Sequence, residues 1–466
     1  MSTSSAIRAA RRRGPSGPTR AELRLQLALA APLALQQIGL QLMGAVDTAL
    51  LGRYHPDALA GSGVANALVF AITCIGMGVV MGLDALVPQA LGAGEPGRAR
   101  ALLRDGVRVA IIIGGPATLL VVLSPLLLDA AQVDPGVAEH ARIYIWARAF
   151  GVVPFLLQTA LRSYLSAHGQ TRPLLVAVVA GNVLNLVLDY LLIFGDAGLA
   201  DLGLPGVGLP AMGVLGAAGA TSAVQLLSLG VFVLAVRALH QGAGAAAATP
   251  GRALGPIVRV GTPIGLQVFA EVAVFSLTGV LAAHLSATAA AAHTVAITVA
   301  SITFSIAMGI GAATAVRVGV AVGAGDHVGA RRAGLVGVGL GLVVMSSSAV
   351  VFLAAPALLA GWFTDSAPVL AASLPLLQIA ALFQLSDGAQ AVAAGALRGA
   401  GDTRAAFIAN LIGHYGVGLG ISLGLAFGLG MGAPGLWWGL SAGLTVTAVA
   451  LLIRFWRLTA RPIARS

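Results

Sequence analysis

The sequence predicts an all-α polytopic membrane protein of twelve transmembrane helices, arranged as two six-helix lobes related by a pseudo-two-fold axis along the membrane normal. Three observations predict it. Of 466 residues, 58% are hydrophobic and 9% charged, with a mean hydropathy of +0.93. A soluble chain of this length has no interior large enough for so much apolar surface, so lipid is its solvent. Twelve apolar stretches reach the ~20 residues needed to cross a bilayer, and the second half repeats the first at an offset of 231 residues.

Taken in order, residues 1–24, containing RRRGPSGPTR, read as a disordered basic tail. The apolar run that follows continues to Leu51, too long for a signal-peptide core, so it is retained as span 1. The first lobe, 25–237, holds spans 25–52, 62–89, 107–130, 143–165, 173–195 and 210–237. Residues 238–256 (ALHQGAGAAAATPGRALGP) are rich in Gly, Ala and Pro, the composition of an interdomain linker. The second lobe, 257–458, holds spans 257–283, 289–317, 333–361, 369–396, 404–428 and 434–457, and 459–466 form a short tail. Pro32 and Pro263 lie early in spans 1 and 7, where proline removes a helix hydrogen bond and permits a bend.

The repeat is carried by polar and special residues rather than by composition. Pro32 falls on Pro263, Gln36 on Gln267, Gly78 on Gly309, and GAGE at 92–95 on GAGD at 323–326. With a short length difference, Leu161-Arg162 and GQTR at 169–172 echo Leu397-Arg398 and GDTR at 401–404. Six spans per repeat start both halves on the same side, which makes this a parallel duplication, and a solute site is expected near mid-membrane between the two bundles. The 62 glycines suit close helix contacts.

The net charge of +10 is made entirely by arginine. With the N-terminus inside, 24 of 27 arginines fall in cytoplasmic segments or at their edges, leaving Arg53, Arg142 and Arg148 on the outer side. That asymmetry places both termini in the cytoplasm and accounts for the basic excess without nucleic acid. The lone Cys74 excludes an intrachain disulfide. GAGE and GAGD lack the strand and lysine of a phosphate loop and read as turns. No nucleophile with its base, metal cluster or nucleotide site is apparent, so neither an enzyme nor an ATP-driven pump is expected, nor any cofactor. A monomer in the plasma membrane is expected.

Four spans carry one acidic residue each: Asp47, Asp189, Glu271 and Asp387. A charge at the bilayer centre costs roughly 2.5–3.5 kcal/mol even on insertion scales. Such a residue points to moving ions or solutes. Asn185 and Asp189 share one helical face and lie at the depth of Asp47, and Thr221 in span 6 joins them. Carboxylates with amide and hydroxyl oxygens hold a proton or offer ligands to a hard cation such as Na⁺. Under the repeat Glu271 maps onto Leu40 and Asp47 onto Thr278, so the acids of the two halves have separate roles. Asp84, near the cytoplasmic end of span 2, reads as a headgroup contact. Gln36, Gln267, His293 and Phe383 are candidates to line a substrate cavity.

These residues resemble the MATE (multidrug and toxic compound extrusion) transporters, in particular the bacterial NorM-type branch. The similarity rests on VDTALLGR at Asp47, LVPQALGAG after span 2, LRSYLSAHGQTRP after span 4, NLVLDYLLIFG in span 5, FAEVAVF in span 7, AAHTVAI in span 8 and QLSDGAQAVAAGALRGAGDTR from span 10. The resemblance implies two six-helix lobes in a V around a central cavity. It also implies export of lipophilic, often cationic compounds in exchange for H⁺ or Na⁺. Asp47 with Asn185 and Asp189 then matches one cation site, Glu271 with Asp387 the NorM-type second, and Pro32 the bending proline. Phe383 stands where such relatives often carry Tyr, and Asp189 where some carry Asn. A flippase for a lipid-linked precursor is the rival expectation within the wider superfamily, and the acidic character of the buried charges speaks for cationic cargo instead.

Overall fold

A computed structural model describes residues 19–201, 203–242 and 254–465, and all regular structure among them is helical. The first half comprises α1 (Thr19–Tyr54), α2 (Pro56–Val80) continued by α3 (Leu83–Gly92), α4 (Pro96–Leu123) with the short α5 (Pro125–Ala130), α6 (Pro135–Ala149) and α7 (Val152–Ala167), α8 (Arg172–Phe194), the short α9 (Asp196–Asp201) and α10 (Val214–Gly242). The second comprises α11 (Leu254–Leu285), α12 (Ala287–Gly323), α13 (His327–Ala354), the short α14 (Pro356–Gly361), α15 (Ala367–Gly399), α16 (Thr403–Leu411), α17 (Leu419–Leu423) and α18 (Ala433–Leu458). Twelve crossings result when α6 and α7, bent by 48°, are read as one broken span.

Helix starts follow local chemistry. Proline opens α2, α4 and α6, where its missing N–H is no loss. Asp134 caps α6, Ser286 caps α12 through Ala289 N at 3.0 Å, and Asp326 caps α13 through Gly329 N at 2.7 Å. The glycine motifs after spans 2 and 8 are turns, as expected. Gly94 (φ 79°) and Gly325 (φ 75°) adopt the left-handed conformation, and Glu95 N and Asp326 N close the same bond onto Ala90 O and Ala321 O, both 2.9 Å.

The duplication extends to the contact between halves. A Cβ at Gly78 would sit 2.1 Å from Gly265 Cα, and one at Gly309 would sit 2.4 Å from Ala34 Cα. Shifting each partner by 231 converts one contact into the other. The same exchange relates a Cβ added at Gly92, which would run into Val320 O, to one added at Gly323, which would run into Gln89 O. Main chain thus meets main chain through α2 with α11 and, symmetrically, α1 with α12, and again through α3 with the end of α12, a contact that the exchange maps onto itself.

We call the face bearing the start of α1 and the end of α18 the terminal face. An apolar core containing Leu29, Leu33, Leu83, Ile310, Val316 and Val392 draws on both halves there. Toward the opposite face each half has its own core, around Leu51, Ile145 and Ile193 in the first and around Phe352, Leu376 and Trp437 in the second. The molecule is joined at the terminal face and divided at the other. Polar contacts reinforce the join. Arg317 Nε and Nη2 grip Glu22 at 2.8 and 2.6 Å, Gln26 Nε2 donates to Ala333 O at 2.8 Å, and Gln89 Nε2 donates to Gly399 O at 3.0 Å.

Several expectations are corrected. Residues 19–24, assigned to the disordered tail, are helical, because Glu22 is tied to Arg317; residues 1–18 lie outside the described residues. The linker begins later than expected, since α10 runs to Gly242 and α11 starts at Leu254, and 243–253 lie outside the described residues. Arg148, placed at the outer edge, lies one residue before the break between α6 and α7, because span 4 starts at Pro135 rather than 143. The prolines of spans 1 and 7 stand where expected: Pro32 and Pro263 lie inside α1 and α11, which continue through them. Span 11 contains two π-helical stretches, Ile412–Gly418 and Gly424–Gly428, in a glycine-rich run.

Two buried acidic clusters as the candidate functional site

In the first half, Asp47 of α1, Asn185 and Asp189 of α8 and Thr221 of α10 converge, as their shared depth suggested. Thr221 Oγ1 donates to Asp47 Oδ2 at 3.0 Å and also lies 3.0 Å from Ala217 O. One hydroxyl proton serves only one of these acceptors at a time, so Thr221 can also accept from Asp47. Asp189 is completely buried and faces Asp47 and Asn185. Both Asp189 oxygens, Asp47 Oδ1 and Asn185 Nδ2 are buried without an ordinary hydrogen bond. Two carboxylates and an amide brought together in one buried place are oxygen donors of the kind that can hold a proton or ligate a hard cation.

Sequence reasoning missed two neighbours. Tyr144, 5% exposed on α6, lies within electrostatic reach of Asp47, Asp189 and Arg148. Tyr144 and Arg148 are one helical turn apart, as are Thr221 and Gln225. The lower turn forms a second polar storey: Gln225, with its amide turned to satisfy its neighbours, donates to Gly151 O at 3.1 Å and accepts from Arg148 Nη1 at 3.3 Å. Arg148 Nε is buried without a partner. The i, i+4 spacing on both helices was the available signal.

In the second half, Glu271 of α11 is the hub. Its Oε1 accepts from Gln390 Nε2 of α15 and, at 2.8 Å, from Asn410 Nδ2 of α16, and Gln267 lies beside it. Asp387, 5% exposed on α15, faces Glu271 within electrostatic reach. Tyr415 Oη donates to Ala270 O at 2.8 Å, fixing span 11 next to the hub. Gln390 and Asn410 were not anticipated.

The cavity candidates divide. Gln267 belongs to the Glu271 cluster. Gln36 is buried at 7% exposure, with Oε1 unpartnered. Phe383 and His293 both pack on Trp437, with ring centroids 5.6 and 5.8 Å away, and Phe275 continues the ladder from Phe383 at 6.1 Å. Asp84, expected at the headgroups, is instead 6% exposed and shared by Arg162 Nη2 at 3.4 Å and Arg398 Nη1 at 3.6 Å. Arg398 belongs to the other half, so this ion pair crosses between the halves.

Comparison with known proteins adds a frame to this geometry. A family model described as MatE matches residues 32–191 and 263–424, one stretch in each half. Multidrug resistance protein NorM of Burkholderia vietnamiensis is 37% identical over 444 residues, covering 94% of each chain. Multidrug resistance protein PmpM of Pseudomonas aeruginosa is 35% identical over 452 residues, covering 95% of this chain and 93% of that one. The crystal structure of the eukaryotic MATE transporter AtDTX14 superposes with a TM-score of 0.84 at 22% identity, over 95% of this chain and 98% of that one.

Proposed function

This chain belongs to the MatE family, of the bacterial NorM type, and we propose that it exports lipophilic, cationic drugs or toxic organic compounds by exchanging them for inward-moving H⁺ or Na⁺. It is a secondary transporter, not an enzyme. Its relatives are named for multidrug resistance, which supports drug-like cargo and speaks against a lipid-precursor flippase. The observation that carries cation coupling is the pair of buried clusters, Asp47 with Asp189 and Glu271 with Asp387. Carboxylates kept in a membrane interior at such cost are retained for a charge they exchange.

The terminal face is taken as cytoplasmic, in line with the arginine bias, with the protein a monomer in the bacterial inner membrane. The halves, joined on that face and divided on the other, then stand open to the outside. In this state an external cation loads a cluster and the bound compound leaves. The halves rock, the cation passes to the cytosol, and a new compound enters. Loading shifts the two states only as far as the cation's affinity differs between them. An inward-negative potential assists by about 2.3 kcal/mol per charge per 100 mV.

Reconstituted protein decides the matter. Efflux of a fluorescent organic cation is followed under a Na⁺ gradient alone, then under a pH gradient alone. Wild type is expected to respond to one of them, and Asp47→Asn or Glu271→Gln to abolish that response while remaining inserted. Unchanged efflux in both variants rejects carboxylate coupling.

A further inference from the structure

Arg162 and Arg398 occupy equivalent places in the repeat, each following a leucine at the end of the fourth span of its half. The structure brings both to one carboxylate oxygen, Asp84 Oδ2. The duplication supplied no second acid: 231 residues on from Asp84 stands Ala315, whose carbonyl lies against Gly399. Asp84 and Arg162 belong to the first half, so Arg398 reaches across the join for its counter-charge.

Two arginines and one aspartate leave an excess positive charge in a largely buried place, with side-chain exposures of 17%, 10% and 8%. The charged groups acting on Arg398 are Asp84, Arg162 and Glu271. Glu271 is reached along α15: Gln390 donates to it, and Arg398 follows two turns later, ~12 Å at helical rise. With Glu271 charged, the four groups sum to zero. With a cation loaded there, the sum is one positive charge, at the point where two guanidinium groups crowd one carboxylate.

We propose that Arg398 is a positioning residue that couples occupancy of the Glu271 cluster to closure of the terminal face. Resting on the coupled-transport reading above, it goes beyond it by naming the relay. In the closed arrangement Arg398 shares Asp84 with Arg162. Loading Glu271 removes its other counter-charge and leaves the repulsion from Arg162. Parting the halves relieves this, because Asp84 stays with Arg162 while Arg398 moves to water. A cation taken up at mid-membrane thereby unlocks the opposite side from the one by which it entered.

The test uses the full chain in nanodiscs, with Cys74→Ala and spin labels at Arg172→Cys and Arg404→Cys. These are repeat-related, exposed positions at the terminal face, one in each half. Glu271→Gln serves as a loaded cluster that needs no added ion. It is expected to raise the long-distance, parted population about tenfold, as removal of one unit charge from a partly solvated interior implies. In an Arg398→Gln background the parted population is expected to be the same with Glu271 or Gln, whereas Arg398→Lys keeps the response and separates loss of charge from loss of fold. An unresponsive Glu271→Gln, or a response that survives Arg398→Gln, overturns the relay. Cation-driven efflux is measured on the same variants reconstituted into liposomes. Its absence in wild type rejects the antiport reading alone, since the label arms compare Glu271 with Gln at one pH and need no ion gradient.

Discussion

Asn410 Nδ2 donates to Glu271 Oε1 at 2.8 Å, joining spans 11 and 7 across 139 residues. Glu271 accepts at the same oxygen from Gln390, so two neutral amides orient the one carboxylate that both α15 and α16 face.

Asn410→Leu should therefore disable coupling without unfolding the protein. A hydrogen bond to a charged group is worth roughly 1.5–3 kcal/mol, so cation-driven efflux is expected to fall about tenfold or more. Equal efflux by wild type and Asn410→Leu at matched protein levels would make Asn410 a packing residue.

The symmetric main-chain contacts predict paired steric effects. A valine at Gly78 meets Gly265, and one at Gly309 meets Ala34. Overpacking costs about 1–3 kcal/mol. Gly78→Val and Gly309→Val should both lower the detergent unfolding temperature or part the terminal face. A variant pair in which one substitution is silent contradicts the symmetry.

Glu22 and Arg317, with side chains 12% and 13% exposed, form a doubly bonded pair between the halves. Removing one partner strands the other, at a cost of up to about 3 kcal/mol. Glu22→Ala and Arg317→Ala should be similarly destabilised, with the double variant no worse than either single one in a double-mutant cycle. Additive losses would mean the two charges act independently.

Asp196 sits in the connection before α10, outside the spans, and its carboxylate accepts from Leu209, Val207 and Gly208 N–H groups at 3.0, 3.0 and 2.9 Å. These bonds hold its pKa below the ordinary aspartate value. A depressed folded-state pKa gives stability that is complete above the unfolded value, about 3.9, and is lost as pH falls through the lower folded value. Asp196→Asn should speed amide exchange at Val207–Leu209 at pH 7, with the difference from wild type shrinking below about pH 3.9. A difference independent of pH would assign the effect to shape rather than charge.

Much of this was legible in the chain because lipid imposes harsh rules. Spans must be long and apolar, and an acid inside one is conspicuous, so the spans and Asp47, Asp189, Glu271 and Asp387 could be read directly. Neutral amides carry no such mark, and Gln390 and Asn410 look like any packing residue until span 11 is docked on span 7. Arg148 was misplaced because a broken helix hides its own depth: hydropathy registers the apolar stretch after 143, whereas Pro135 begins the span. Asp84 was misjudged because its second partner, Arg398, lies in the other half, and periodicity says nothing of such pairings.

What blocks a side chain at Gly78 or Gly323 is backbone, at Gly265 in one case and Gln89 in the other. Trimming a neighbouring side chain makes no room there, so suppressor screens starting from bulky substitutions at these positions should return reversion to glycine and little else. The seam admits drift only where side chains meet.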